Sequence, residues 1–319
     1  MVTVKRLYVI SGILICLFLT GCAGGGKKNG KNGGSPATPT DCVGNEELND
    51  LADGQEGGMD NESMKAKKGE ATEESTEDMT LLRDYDGVSN DKFSWYIVRD
   101  KNHGISDCDH SFSIEQYDAY YADQNAGDDK VMYLTFDCGY ENGYTEQILD
   151  TLKKYNAKAC FFVTQTYIRD NVELVKRMKQ EGHQVGNHTV THPSMPDISV
   201  EKQKEELKAC ADYMKEATGY EMDTYFRPPS GEYSERVLQL AKDMGYKTIF
   251  WSMAYLDFDV NNQPGKDYVI EHFDKYYHNG AIPLMHNVSQ SNAEALDTVL
   301  SNLTELGYRF VSLDEMFEK

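Results

Sequence analysis

From residue 131 onward the chain alternates apolar runs of strand length with amphipathic runs of helix length, seven times over. The strand-like runs are VMYLTF (131–136), KACFFVT (158–164), HQVGNH (183–188), TYFRPP (224–229), KTIFWS (247–252), AIPLMH (281–286) and RFVSL (309–313). The stretches between them carry apolar residues at helical spacing. In TEQILDTLKKY, Ile148, Leu152 and Tyr155 share one face; in the long run 199–219, Leu207, Cys210, Ala211 and Met214 form the stripe and Gly219 the stop. The last helical run, 291–307, opens with a Ser291–Glu294 capping box and closes on Gly307. Parallel strands need a crossover, and a helix is the usual one, so this alternation predicts an α/β fold with a parallel sheet wrapped by helices. About 190 residues suit a reduced barrel of the TIM kind. An open doubly wound sheet is the alternative; no GxGxxG follows the first run, which argues against dinucleotide binding.

In such barrels the chemistry gathers where strands end. The first run ends in Asp137 and Cys138. The third leads into NHTVTH, with His188 and His192, and the fourth ends in FRPPSG, with Arg227. The fifth leads through WSMAYLDF to Asp257, and the sixth ends in His286. A lone histidine is usually structural and a lone aspartate often a cap. Five runs delivering ionisable groups to one rim are harder to dismiss. His188 and His192 are four apart, which on a helical turn puts both imidazoles on one side at metal-ligand spacing. Two histidines and one further ligand leave a position for water, the requirement of a hydrolytic zinc site. His183 reads as a strand brace, and His103, His110, His272 and His278, on polar stretches, as surface residues.

The N-terminal quarter has a different character. Lys5 and Arg6 precede the apolar run LYVISGILICLFL, which has the length of a signal-peptide core and ends in LTGC, Leu19 to Cys22. This resembles a bacterial lipobox. Residues 1–22 are therefore expected to direct export and to leave Cys22 lipidated, anchoring the protein to the outer face of the membrane. A plain secretory signal or an uncleaved anchor is the alternative. Residues 23–85, rich in Gly, Lys and Asn and then in acidic residues, lack the apolar content to repay ordering and read as a tether. Residues 86–130 read as an extension packing on the barrel. The net charge of −21 argues against nucleic acid as a partner, since phosphate binding needs a basic face, though much of that charge lies in the tether. Of the seven cysteines, Cys160 and Cys210 fall on apolar faces and read as core residues.

The stretch from about Trp95 to the C-terminus resembles the polysaccharide deacetylases, carbohydrate esterase family 4. TFDCGY is similar to that family's TFDDGY, HTVTH to HTxxH, RPPSG to RxPxG, LDF to DxxDW and LMH to LxH, all in the family's order. LTFDCGYENGYT, FWSMAYLDF, NNQPGK and SNAEALD also resemble the N-acetylmuramic acid deacetylases that form the δ-lactam of spore cortex. The resemblance implies a distorted (β/α)7 barrel over 131–319 and a divalent metal, zinc. It makes Asp137 the base, held ionised by Arg227, and His286 the acid, oriented by Asp257. It puts the metal on His188, His192 and the Cys138 position, and an oxyanion donor in Pro229, Ser230 and Gly231. Tyr140 and Phe258 would meet the sugar, though with 21 tyrosines in the chain Tyr140, Tyr144, Tyr233 and Tyr255 have simpler structural accounts.

The chain departs from the family's pattern in places. Cys138 stands where most members have a metal-ligating aspartate. It admits three readings: a thiolate ligand, a spectator beside a weak two-histidine site, or an oxidised residue, disulfide-linked to Cys160. The first two are favoured. Ser230 stands where muramic-acid deacetylases tend to carry an arginine, Phe258 where the family has Trp, and Ala254 where it has Asp. The expected partner is peptidoglycan or a related acetylated glycan. Deacetylation of N-acetylglucosamine or an exopolysaccharide, or silent glycan binding, are the alternatives.

Overall fold

The computed structural model describes residues 84–108 and 111–318. The expected signal and lipobox and nearly all of the expected tether lie outside them, as do Cys42 and His110. Tyr85, assigned to the tether, is instead 3% exposed, with its hydroxyl donating to Asp243 at 3.0 Å.

Eleven strands and seven α-helices make up the described chain. In order they are β1 (Phe93–Ser94), β2 (Ala119–Tyr120), β3 (Val131–Met132), β4 (Leu134–Cys138), α1 (Thr145–Lys154), β5 (Ala159–Val163), α2 (Gln165–Asp170), α3 (Val172–Gln180) and β6 (Gln184–Asn187). There follow α4 (Val200–Thr218), β7 (Tyr225–Phe226), β8 (Glu232–Tyr233), α5 (Glu235–Asp243), β9 (Lys247–Ile249), α6 (Lys266–Tyr276), β10 (Leu284–His286), α7 (Gln290–Glu305) and β11 (Arg309–Phe310). Seven strands form one all-parallel sheet in the order β10-β4-β5-β6-β7-β9-β2. Isolated bridges Ala122↔Ala281 and Met253↔Pro283 bring its two ends together, so the sheet curls into a distorted barrel.

Two details differ from the expected seven strand–helix units. The first predicted strand is two: Tyr133 donates its N–H to the Ala281 carbonyl, β3 turns aside to pair with β11, and β4 alone enters the main sheet. The place that the last predicted strand would have filled goes to β2, from the N-terminal extension. The extension thus completes the sheet rather than merely packing on it.

Local chemistry explains the helix ends. Ser199 and Ser234 cap α4 and α5 by accepting from Lys202 and Val237 N–H groups, and Gly219 ends α4 at φ 81°. At α7 the cap is Ser289, which accepts from Asn292 N–H, not Ser291. Ser291 is buried and accepts from Gly265 N–H, so the expected cap is corrected by two residues. The short α2, capped by Thr164, carries no clear periodicity and was not foreseen.

The core lies on both sides of the sheet. Leu134, Phe136, Phe161 and Val163 pack outward under the helices, with Phe136 stacked on Phe161 at 5.1 Å. Tyr133, Cys160, Phe162 and Tyr225 pack on the other side. Cys160 and Cys210 are buried and unbridged. His272 and His278, expected at the surface, are 4% and 1% exposed. His272 sits among Tyr255, Tyr268 and Tyr276, and His278 Nε2 meets Ser252 Oγ at 2.9 Å.

Candidate active site

A cavity of about 1250 Å³ opens over the C-terminal ends of the strands, and Asp137, His188, His192 and His286 line it. Asp137 and His286 are register partners on the adjacent parallel strands β4 and β10. Behind Asp137 stands Arg227, the first residue after β7 and wholly buried. Its Nε donates to the Ile249 carbonyl at 2.8 Å, Nη2 to the Phe250 carbonyl at 3.1 Å and Nη1 to Asp137 Oδ1 at 2.8 Å. The guanidinium also lies 4.3 Å from the centre of the Phe162 ring. Held at so many points, it is a fixed counter-charge rather than a mobile clamp. Burial alone would push the Asp137 carboxyl up; the Arg227 charge, helped by the nearby imidazoles, more than offsets this and holds it below the usual carboxylate range.

His188 Nδ1 meets the Arg227 carbonyl at 2.8 Å. A carbonyl only accepts, so Nδ1 carries the proton and Nε2 turns a lone pair toward Asp137 Oδ2, 3.6 Å away. Burial lowers the pKa of His188 to about 4, which keeps it neutral at pH 7. The His192 ring is 4.8 Å from that of His188, and burial lowers its pKa too. The expected helical turn is absent. The two histidines sit on a loop after β6, where Thr189 and His192 adopt φ of 72° and 58°. Asn187 Oδ1 accepts from Thr189 N–H, and Thr189 Oγ1 from His192 N–H.

The anchor of this loop is a residue that sequence reasoning missed. Glu206 of α4 is 1% exposed, and its carboxylate accepts from Val190 N–H, Thr191 N–H and Thr191 Oγ1, each at 2.8 Å. In sequence it looks like one more solvated charge. The available signal was its place beside Leu207, on the face that Gln203, Cys210 and Met214 also bury.

Cys138 is not brought to the rim, which corrects the expectation of a thiolate ligand. β4 extends through Cys138, paired with Val163, and successive side chains on a strand point to opposite faces. With Asp137 turned to the cavity, Cys138 turns into the apolar layer with Ile148 and Leu149, fully buried. There burial raises the thiol pKa well above its ordinary value. The disulfide reading fails too. Cys160 pairs with Thr135, three residues back along β4 from Cys138, and lies among the apolar residues of the other face.

The other half of the rim centres on His286. Its Nδ1 lies 2.7 Å from Asp257 Oδ1, and its own N–H donates to Asp257 Oδ2 at 2.8 Å. Asn292 Nδ2 donates to the same Oδ2 at 2.6 Å, and Tyr255 donates its hydroxyl hydrogen to Asn292 Oδ1 at 2.7 Å. Asn292 was not singled out from the sequence. Burial lowers the pKa of His286, but the Asp257 charge prevails and the imidazole is raised above its ordinary value. Phe258 is exposed, with its ring 5.7 Å from that of His286.

The Pro229–Gly231 turn forms another wall. Ser230 and Gly231 adopt φ of 56° and 65°. A Cβ on Gly231 would come within 2.7 Å of the Trp251 ring, so both conformation and space demand glycine. Gly231 N–H donates to the Pro228 carbonyl and Pro229 has no N–H, which narrows the expected oxyanion donor to Ser230. Tyr140 lines the cavity and is exposed. Tyr233 is buried against Phe93, Trp95 and Phe250 and is structural.

A curled parallel sheet with a charged carboxylate, a protonatable imidazole and two neutral imidazoles at its mouth defines a hydrolase of the acid–base type. Comparison with known proteins narrows this. Residues 124–249 match the polysaccharide deacetylase family. The peptidoglycan-N-acetylmuramic acid deacetylase PdaA of Bacillus subtilis is 43% identical over 237 residues, covering 73% of this chain and 89% of that protein. The solved structure of Bacillus subtilis PdaA, a family 4 carbohydrate esterase, superposes with a TM-score of 0.69 at 42% identity, over 72% of this chain and 98% of that one. A peptidoglycan-N-acetylglucosamine deacetylase of Bacillus cereus is 34% identical over 195 residues, or 59% of this chain and 88% of that protein. The chain belongs to the polysaccharide deacetylase family, carbohydrate esterase family 4, and is a hydrolase of non-peptide amide bonds.

Deacetylases of this family are metal-dependent in general. The donors here fit a divalent cation in kind: two neighbouring imidazoles, one with its tautomer fixed by a backbone carbonyl, beside a carboxylate. Among the described residues no group of three His, Cys, Asp or Glu is arranged to hold a metal ion.

Proposed function

We propose that this enzyme removes acetyl groups from N-acetylmuramic acid of peptidoglycan, with a zinc ion held by His188 and His192. The observation that carries the reading is the pairing of Asp137 with His286 across adjacent strands, each with its own fixed partner. The similarity to a muramic acid deacetylase over most of both chains supports the sugar. A bound metal would supply positive charge to an attacking water and to the amide oxygen. Asp137, held ionised by Arg227, takes the proton that water gives up. His286, oriented by Asp257 and raised in pKa, protonates the departing nitrogen. Ser230 N–H is the proposed backbone donor to the oxyanion. Tyr140 and Phe258, both exposed beside the rim, are the proposed sugar-contacting faces.

We place the enzyme outside the cytoplasm, lipid-anchored through Cys22, where its glycan lies; Lys5 and Arg6 followed by an apolar run ending in LTGC support this. Loss of metabolic palmitate labelling in Cys22→Ala tests it.

The function is tested by acetate release from peptide-stripped peptidoglycan, before and after chelation and zinc addition. Activity should vanish with chelator and return with zinc, and Asp137→Asn should lower kcat by about 100- to 10,000-fold. Release from N-acetylglucosamine oligomers alone would assign the other sugar. No release from either glycan, with zinc present, would overturn the proposal.

A further inference from the structure

The proposed base and acid leave one cation of the cavity unused. Arg99 is the sole Lys or Arg among the lining residues, and Asp137 the sole Asp or Glu. Arg227, by contrast, is wholly buried and engaged through Nε, Nη1 and Nη2.

The N-terminal segment is built to hold Arg99 there. β1 pairs antiparallel with β8, directly after the Pro229–Gly231 turn. Trp95 donates its N–H to the Gly231 carbonyl at 2.8 Å and its indole Nε1–H to the Trp251 carbonyl at 3.0 Å, and stacks on Phe250 at 4.4 Å. Val98 and Asp107 exchange backbone bonds and close a hairpin. Arg99 follows, exposed, with Nη2 donating to the Ala254 carbonyl at 2.6 Å and its guanidinium 5.5 Å from the centre of the Tyr276 ring. Among the described residues no carboxylate pairs with it. A guanidinium has five N–H donors, so most of its fork remains available.

We infer that Arg99 is a specificity residue: it binds a carboxylate carried by the substrate sugar next to the reacting acetamide. The inference rests on the proposed amino-sugar deacetylation. N-acetylmuramic acid bears its acetamide on C2 and a lactyl ether carboxylate on the neighbouring C3; N-acetylglucosamine has only a hydroxyl there. An arginine fork matches a carboxylate in two parallel hydrogen bonds, which a neutral sugar cannot return. The cation thus comes from the extension, whereas the turn after RPP offers the uncharged Ser230. Arg99 also bonds the strap that leads to Asp257, so a bracing role must be separable from recognition.

The experiment uses the full-length zinc-loaded protein as wild type, Arg99→Gln and Arg99→Lys. The substrates are peptide-stripped glycan strands and the same strands with the lactyl carboxylate converted to its methylamide. Wild type should lose about 10- to 100-fold in kcat/KM when the carboxylate is neutralised. Arg99→Gln should lose a similar factor on the free acid, chiefly in KM, and no longer distinguish the two strands. Arg99→Lys should fall between. An equal loss for Arg99→Gln on both substrates, or no loss on the free acid, would overturn recognition while leaving the deacetylase intact. Wild type turning over both strands equally would do the same. Inactivity of wild type on both strands would instead remove the reading on which the inference rests, and the inference with it.

Discussion

Asp137 and His286 are neighbours on adjacent strands, yet their surroundings push them in opposite directions. Burial disfavours charge on both. On the β4 side a fixed guanidinium overrides it and keeps a carboxylate ionised; on the β10 side a buried carboxylate overrides it and keeps an imidazole protonatable. The counter-charges are equally inaccessible, at 0% exposure for both Arg227 and Asp257. Two groups with pKa values driven in opposite senses by opposite partners are what divided acid–base labour requires. The halves differ in how they are held. Arg227 is tied directly to backbone carbonyls at the C-terminal end of β9, those of Ile249 and Phe250. Asp257 depends on side chains from elsewhere, above all Asn292 of α7.

The largest test of this contrast is Asp257→Asn. The proposed acid works while His286 is protonated, so activity falls as pH rises through its elevated pKa. Without the Asp257 charge, burial is opposed only by the smaller pull of Asp137, and that pKa falls. The alkaline limb of the kcat profile should move to lower pH, and kcat at its optimum should drop by about 100-fold or more. An unmoved limb would mean that the carboxylate does not set the imidazole, and the symmetry of the halves would be lost.

A smaller effect sharpens the β4 side. Glu206→Ala leaves Val190 and Thr191 N–H groups without their acceptor, at a cost of about 1–3 kcal/mol in denaturant unfolding. With the loop loosened, zinc affinity in competition with a chromogenic chelator should fall about 10- to 100-fold. The smallest effect belongs to Cys138→Ala. Activity and zinc affinity should stay within about twofold, and stability should fall by about 1 kcal/mol for the lost buried sulfur. A tenfold fall in zinc affinity would show that the thiol reaches the rim, contrary to the alternation of β4.

Much of this protein is readable along the chain. The strand–helix rhythm is local, because period 2 and period 3.6 need only neighbouring residues. The ionisable groups Asp137, His188, His192, Arg227, Asp257 and His286 were visible because each follows an apolar run, where a parallel barrel places its chemistry. What the chain could not reveal by itself depends on distant partners. Cys138 turns away because the ladder with β5 carries β4 two residues beyond its apolar run, so strand alternation sets Asp137 and Cys138 on opposite faces. β2 enters the sheet because β9 offers an edge more than a hundred residues downstream. Glu206 and Asn292 look like any polar helix residues until tertiary packing buries them against a loop and a carboxylate. Arg99 gains its place in the cavity only through Trp95 and Gly231. Sequence determines which groups are present and on which kind of element, since backbone periodicity is a local property. Tertiary structure decides which of them are desolvated and paired, and desolvation with pairing is what turns a charge into a working one.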